Sequence, residues 1–192
     1  MAIEVQRWLF TVEDYHKLGR DGFFGEDGGE DARLELIEGE IVVMSPIGGK
    51  HTHCINQFNR RLVRLVGDGF LVSVQNPVRL ANDTEPQPDL AVVRDRDYGD
   101  RNPGPGDVLL LVEVSDSTLR YDRDVKLPLY AAAGIPEVWL ADFKGARLLR
   151  FSDPRDGRYQ AIAEARRGET LTSLALPAVA IAAADVLPTG NA

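Results

Sequence analysis

The stretch 106–127, GDVLLLVEVSDSTLRYDRDVKL, decides how this chain is read. Val108, Leu109, Leu110, Leu111 and Val112 form an unbroken apolar run, the pattern of a strand covered on both faces, which predicts an interior place in a sheet. Glu113 breaks the run, Val114 resumes it, and a polar stretch follows. A carboxylate at the end of a buried strand is a costly placement, because charged side chains are almost never fully buried without a partner.

Working outward, the period changes on both sides of the run. Downstream, DRDVKLPLYAAAG returns to helical spacing through Val125, Leu129 and Ala132 and stops at Gly134, with Pro136 just beyond. Pro128 then lies either in the first turn of that helix or at a kink. PEVWLADF, ARLLRFSDP and YQAIAEARR read as further strands, with Ile135, Trp139 and Leu140 in the core. Upstream, FLVSVQNPVRL and PDLAVVRD are strand-like, and the loop RNPGPGD separates the second from the opening run. THCINQFNRRLVRLVGDG is the clearest helix, with Ile55, Phe58, Leu62 and Leu65 on one face and Gly67 or Gly69 at its end.

Nearer the start, RLELIEGEIVVMSP predicts a hairpin turning at Gly39. FTVEDYHKLGRDG predicts a short helix capped by Thr11 and Asp14 and ending near Gly19, and GRDGFFGEDGGEDAR predicts a mobile surface loop. Helix, hairpin, helix, strands, helix and strands make an α/β fold: a mixed β-sheet flanked by helices, in one domain over 1–192. Within it, 1–32 hold the first helix and acidic loop, 33–151 the core, and 152–192 C-terminal strands and a tail.

The chain's 192 residues suit one domain, and 44% hydrophobic and 27% charged residues are globular proportions. No apolar stretch approaches the roughly 20 residues that span a bilayer, and MAIEVQRW has no signal-like pattern, so the expectation is a soluble, unexported, cytoplasmic protein without a membrane partner. Cys54, the sole cysteine, excludes an internal disulfide and reads as a buried helix residue. HTHC at 51–54 matches no zinc spacing. A net charge of −8 repels nucleic acid on average, so a nucleic-acid role requires a local basic patch or a bound cation. Arg60, Arg61 and Arg64 are candidates for such a patch, although three arginines on one helix face are more often simply solvated.

The strand PDLAVV begins with Asp89, and LLLVEV carries Glu113 at its far end. If the two strands are antiparallel neighbours, these acids meet at one edge of the sheet. At about 4 Å and an effective dielectric near 20 their repulsion is on the order of 4 kcal/mol, which calls for a cation or a bound proton. Mg²⁺ or Mn²⁺ suits paired carboxylates, with water and substrate phosphate in the remaining positions, and that arrangement cleaves phosphodiesters. Lys126 is the candidate for the positive side chain, and Asp122, Lys126 and Tyr130 at i, i+4 and i+8 share a helix face. His51 stands as a candidate for phosphate contact near the acidic edge.

LELIEGEIVVMSP, a histidine before a helix, PQPDLAVV, LLVEVSDST and YDRDVKLPLYAAAGIPEVWLAD together resemble the Uma-two family of restriction endonucleases, within the PD-(D/E)XK nuclease superfamily. The resemblance runs roughly from Arg33 to Phe151. It implies a restriction-endonuclease-like core that holds Mg²⁺ at an acidic edge and cleaves DNA. Asp89 takes the place of the motif aspartate and Glu113 that of the motif glutamate, and Glu38 or Glu35 supplies a further acid. The superfamily sets its lysine two residues after the glutamate, where this chain has Ser115. The resemblance assigns that charge to Lys126 instead. Because restriction enzymes often cut both strands as dimers, a homodimer is the expected assembly.

Plainer readings stand beside these. Asp89 alone could be a turn residue at a strand start and Glu113 half of a structural ion pair, and spacing alone favours Asp122 with Lys126 as a solvated helical pair. Two other functions use the same residues: a nuclease-like binding or regulatory module without turnover, and a phosphoesterase for small nucleotides.

Overall fold

The computed structural model describes residues 7–24, 33–116 and 118–189. The acidic glycine-rich loop expected after the first helix falls largely at 25–32, outside them. The described chain forms two compact units: residues up to Pro46 with Arg79–Pro86, and Ile47–Val78 with the residues from Gln87 onward.

In the first unit, α1 (Val12–Arg20) carries the capping box expected of Thr11 and Asp14, and runs one residue past Gly19. Strands β1 (Leu34–Ile37) and β2 (Glu40–Val43) form an antiparallel hairpin with Ile37 opposite Glu40. Its two turn residues, Glu38 and Gly39, have φ of 49° and 79°, the pair of left-handed conformations that matches the twist of a two-residue hairpin.

The second unit is built on a six-stranded sheet in the order β3-β4-β5-β6-β7-β8. These strands are β3 (Phe70–Val74), β4 (Leu90–Arg94), β5 (Val108–Ser115), β6 (Glu137–Asp142), β7 (Arg147–Arg155) and β8 (Arg158–Arg166). Only β5 and β6 pair in parallel. A parallel pair needs a crossover, and the helical stretch between Leu119 and Ala132 supplies it. The sheet is therefore mixed and flanked by helices, as the sequence predicts.

Helix α2 (Gly49–Leu65) begins three residues earlier than its periodicity indicates. It buries Cys54, Ile55, Phe58 and Leu62 against Leu110, Val112 and Val114 of β5 and Trp139 of β6. Phe58 meets Trp139 edge-on, with ring centroids 6.4 Å apart. Each such buried apolar side chain stabilises the fold by about 1.5–3 kcal/mol. Because strand side chains alternate, Leu111, Glu113 and Ser115 face the opposite side of the sheet, toward the crossover.

One expectation needs correction. FLVSVQNPVRL ends as a strand at Val74, because Gln75 takes a φ of 53° and leaves the extended region. In the crossover, Val125 and Leu129 are half-buried and Ala132 is exposed, while Asp122, Lys126, Leu127, Tyr130 and Ala131 are buried. The apolar stripe did not choose the face: the polar side chains are drawn inward by partners on β5. Beyond β8 the chain adds β9 (Thr170–Thr172), β10 (Ala180–Ala182) and α5 (Ala183–Val186), whose small apolar residues gave no clear period. Among the described residues no helix is long and apolar enough to cross a membrane.

Candidate active site

Strands β4 and β5 are antiparallel with Leu90 opposite Val112, so Asp89, one residue before β4, falls beside Glu113. The link between them is direct. The Val114 N–H donates to Asp89 Oδ2 at 2.8 Å, and the Asp89 N–H lies 3.4 Å from Glu113 Oε2. Both acids are buried.

The crossover delivers the positive charge. It consists of α3 (Leu119–Tyr121), a π-helical segment (Asp122–Lys126) and α4 (Leu127–Ala132). The Leu127 N–H reaches back five residues to the Asp122 carbonyl, the wide turn that places an extra residue in a helix. Pro128 follows directly, and having no N–H it cannot extend that wide ladder. Lys126 Nζ stands 3.2 Å from Glu113 Oε1, and the Tyr130 hydroxyl donates to the same oxygen at 2.6 Å. Lys126 is 2% exposed and Tyr130 fully enclosed, so this pair is held away from water.

Asp122 occupies the other end of that face. It accepts hydrogen bonds from Ser115 Oγ at 2.5 Å and Thr118 Oγ1 at 2.7 Å. Ser115 thus ties the crossover to the strand end.

His51, in the first turn of α2, sets its Nε2 2.9 Å from Asp89 Oδ1. Its side chain is 16% exposed against 6% for Asp89, so it sits on the outer side of the acid. Gln75 Nε2 lies 3.4 Å from the same oxygen. Sequence reading missed Gln75, yet a signal existed: Val74 opposite Leu90 makes the next residue, a polar one at a strand end, the neighbour of Asp89.

Burial sets the electrostatics. It pushes Glu113 up to about 8, against Lys126 and Tyr130, which favour the charged form, while Asp122 and Asp89 push it further up. Asp122 is likewise raised by burial, against the pull of Ser115, Lys126 and Thr118. The charge conflict read from the sequence is thus answered inside the chain: Glu113 has Lys126 beside it and holds a proton more tightly than an ordinary carboxyl, while Asp89 takes a backbone N–H and His51. The Cys54 thiol is pushed up by burial and is inert packing.

A divalent ion is therefore not demanded by charge alone, and its fit rests on donor chemistry. Glu113 Oε2 has one long contact, and Asp89 Oδ1 faces His51 and Gln75, leaving lone pairs on two hard oxygens. Two carboxylates completed by water and phosphate are a sufficient protein contribution for Mg²⁺ or Mn²⁺. Among the described residues no group of three or more His, Cys, Asp or Glu side chains is arranged to hold a metal ion. Glu35 and Glu38 belong to the first unit, Glu35 buried in β1 and Glu38 exposed in the hairpin turn, where its N–H donates to Thr84 Oγ1.

Comparison with known proteins places this geometry in context. No curated protein matches the sequence. The fold is similar to the crystal structure of a protein described as a "putative nuclease belonging to DUF820" from Anabaena variabilis, with a TM-score of 0.70. The two share 14% identity over 92% of this chain and 97% of that one. Residues 12–184 match the family Uma2, described as "Putative restriction endonuclease". A match over that span decides the family, and the chain belongs to Uma2, the Uma-two family that its motifs resemble.

Proposed function

We propose that the chain is a metal-dependent endonuclease that hydrolyses phosphodiester bonds of DNA at the Asp89–Glu113–Lys126 cluster. The observation that carries the reading is the convergence of two buried acids from neighbouring strands with a buried amine from the crossover. Family membership supports the nuclease class.

The chain's own residues divide the work. Asp89 is oriented by the Val114 N–H and presents Oδ1 outward to His51. Glu113 is fixed through Oε1 by Tyr130 and Lys126, which turns Oε2 toward Asp89. Asp89 Oδ1 and Glu113 Oε2 would hold Mg²⁺ or Mn²⁺, which when bound would supply a polarised phosphate and an activated water. Lys126 Nζ stands beside that place as a fixed positive charge for the developing phosphorane. Asp122, through Ser115, holds the crossover against the strand end. The setting we propose is the cytoplasm, and cutting of both strands would call for a homodimer.

The experiment is relaxation of supercoiled plasmid with Mg²⁺ or Mn²⁺. The native chain should nick DNA only with the ion present, and Asp89→Asn and Glu113→Gln should each lower the rate by about a hundredfold or more, the scale of losing one oriented group. Unchanged nicking in both variants would remove the mechanism. A second reading, a nuclease-like module without turnover, is favoured by the protein donors already set on three of the four carboxylate oxygens at good distances. Metal-dependent DNA binding with no nicking by the native chain would decide for it.

A further inference from the structure

We infer that the hollow beside the first turn of α2 is a docking site for the phosphodiester backbone of a nucleic-acid strand. The inference rests on the nuclease reading above for the identity of the polyanion; the site itself rests on the following observations.

Two adjoining hollows of about 360 and 410 Å³ share Lys50, Leu187, Pro188 and Thr189 in their walls. Each has the size of an ordinary ligand pocket. Three cations converge on the first, Lys50 from α2, Lys144 from the β6–β7 turn and Arg167 from the end of β8. Their origins are far apart in the chain, so the concentration of charge is produced by the fold. It contrasts with a whole-chain charge of −8, under which a polyanion is attracted only where positive charge is gathered locally.

The cations differ in state. Arg167 Nη2 donates to the Leu187 and Pro188 carbonyls at 3.0 and 2.6 Å, which anchors the wall and leaves its other N–H groups for a ligand. Among the described residues Lys50 and Lys144, both exposed, form no ion pair or hydrogen bond. Two carboxylates also line the space. Asp185 is engaged by Arg61 Nε at 3.2 Å, and Asp116 is the remaining opposing charge. No side chain caps the start of α2 at Gly48, and the first two residues of that 17-residue helix, Gly49 and Lys50, line the second hollow.

The hollow is also in the right place. Lys50 precedes His51, which holds Asp89, and Asp116 follows Ser115, which holds Asp122. The Phe143 N–H donates to the Ser115 carbonyl at 3.1 Å, so the wall residue Phe143 is fastened to the same strand end. Consecutive strand residues face opposite sides of the sheet, so the hollow, on the α2 face, and Glu113, on the crossover face, share one edge, the end of β5. That edge is the C-terminal end of the parallel pair β5–β6, where open α/β sheets take their ligands.

The test uses the full chain without divalent ion and a fluorescein-labelled strand of about 20 nucleotides, read by anisotropy across a salt series. DNA and RNA strands of one sequence, single and paired, are run in parallel and assign the sugar and strandedness. Lys50→Glu with Lys144→Glu should weaken binding at least about tenfold and lower the slope of log affinity against log salt by about 1–2. Arg60→Glu with Arg64→Glu, the same change in charge further along α2, should alter affinity less than about threefold. Equal loss in the two double variants, loss in neither, or no binding by the native chain at low salt would each overturn the inference. Both lysines are exposed, and an unaltered melting temperature verifies that the variant is folded. Plasmid nicking by the native chain is scored separately: its absence removes the nuclease reading, whereas affinity insensitive to the lysines removes only the docking site.

Discussion

Glu113 and Lys126 were legible in the sequence because each is chemically out of place, a charge in an apolar run and a charge on a helix that packs inward. Their contact was not, because it spans a crossover whose turn width is set by tertiary packing. A buried pair of this kind is costly to break: removing one partner of a buried pair costs about 3–5 kcal/mol, since the other must stay charged in the interior or take up a proton to be neutral there. Lys126→Met should therefore destabilise the chain by about that amount in urea titrations at pH 8, and adding Glu113→Gln should recover more than half of it. A double variant as unstable as the sum of the two single ones would show that the pair contributes no coupling. Asp122 permits a separate test, of sign. Its folded pKa lies above the ordinary value of 3.8, so its contribution to stability is fully present below that value and is lost as pH rises through the raised one. Asp122→Asn keeps an oxygen for Ser115 and Thr118 but cannot titrate. The stability of the native chain relative to this variant should fall as pH is raised above the ordinary carboxyl value of 3.8, and a difference that stays constant with pH would refute the assignment.

Elements were legible where one signal dominated. Helix α2 and strand β5 follow from periodicity and unbroken apolarity, and the hairpin at Gly39 from its turn residue. In the crossover no one signal dominated, because its apolar and polar residues both recur at helical spacing, and the π-helical segment sets which of them face the sheet. Only knowledge of what waits on β5 separates the two faces. The hairpin turn supplies a comparison that isolates one contact. A Cβ added at Gly39 would meet Leu9 Cβ at 2.7 Å in addition to the strain of a φ of 79°, whereas one at Gly67, with a φ of 73°, meets nothing within 4 Å. Gly67→Ala should lose about 1–2 kcal/mol from backbone strain alone. Gly39→Ala should lose clearly more in the same denaturation assay, and equal losses would mean that Leu9 yields freely.

At the scale of the molecule, the sequence announced a mixed α/β fold because strands and helices alternate along it, but the division into two units escaped it: residues 79–86 join the first unit from within the second unit's sequence. No compositional boundary marks such a return. The candidate site has a simpler relation to the whole, since Asp89, Glu113, Lys126 and His51 all belong to the second unit. A ligand bound there stabilises the folded form by mass action, about 2.7 kcal/mol at a concentration a hundred times its dissociation constant. For a chain of 192 residues, each kcal/mol moves the melting temperature by about 2–4 °C. Saturating Mn²⁺ should thus raise the transition by roughly 5–11 °C, and a chelator should reverse the shift. Asp89→Asn combined with Glu113→Gln should abolish the response even if the variant is itself more stable, because relieving a buried acid and binding an ion act through different terms. Calorimetry distinguishes them, as the ion's effect grows with its concentration and the substitution's does not. A double variant that still responds to Mn²⁺ as the native chain does would place the ion elsewhere in the molecule and leave the two carboxylates as a structural pair.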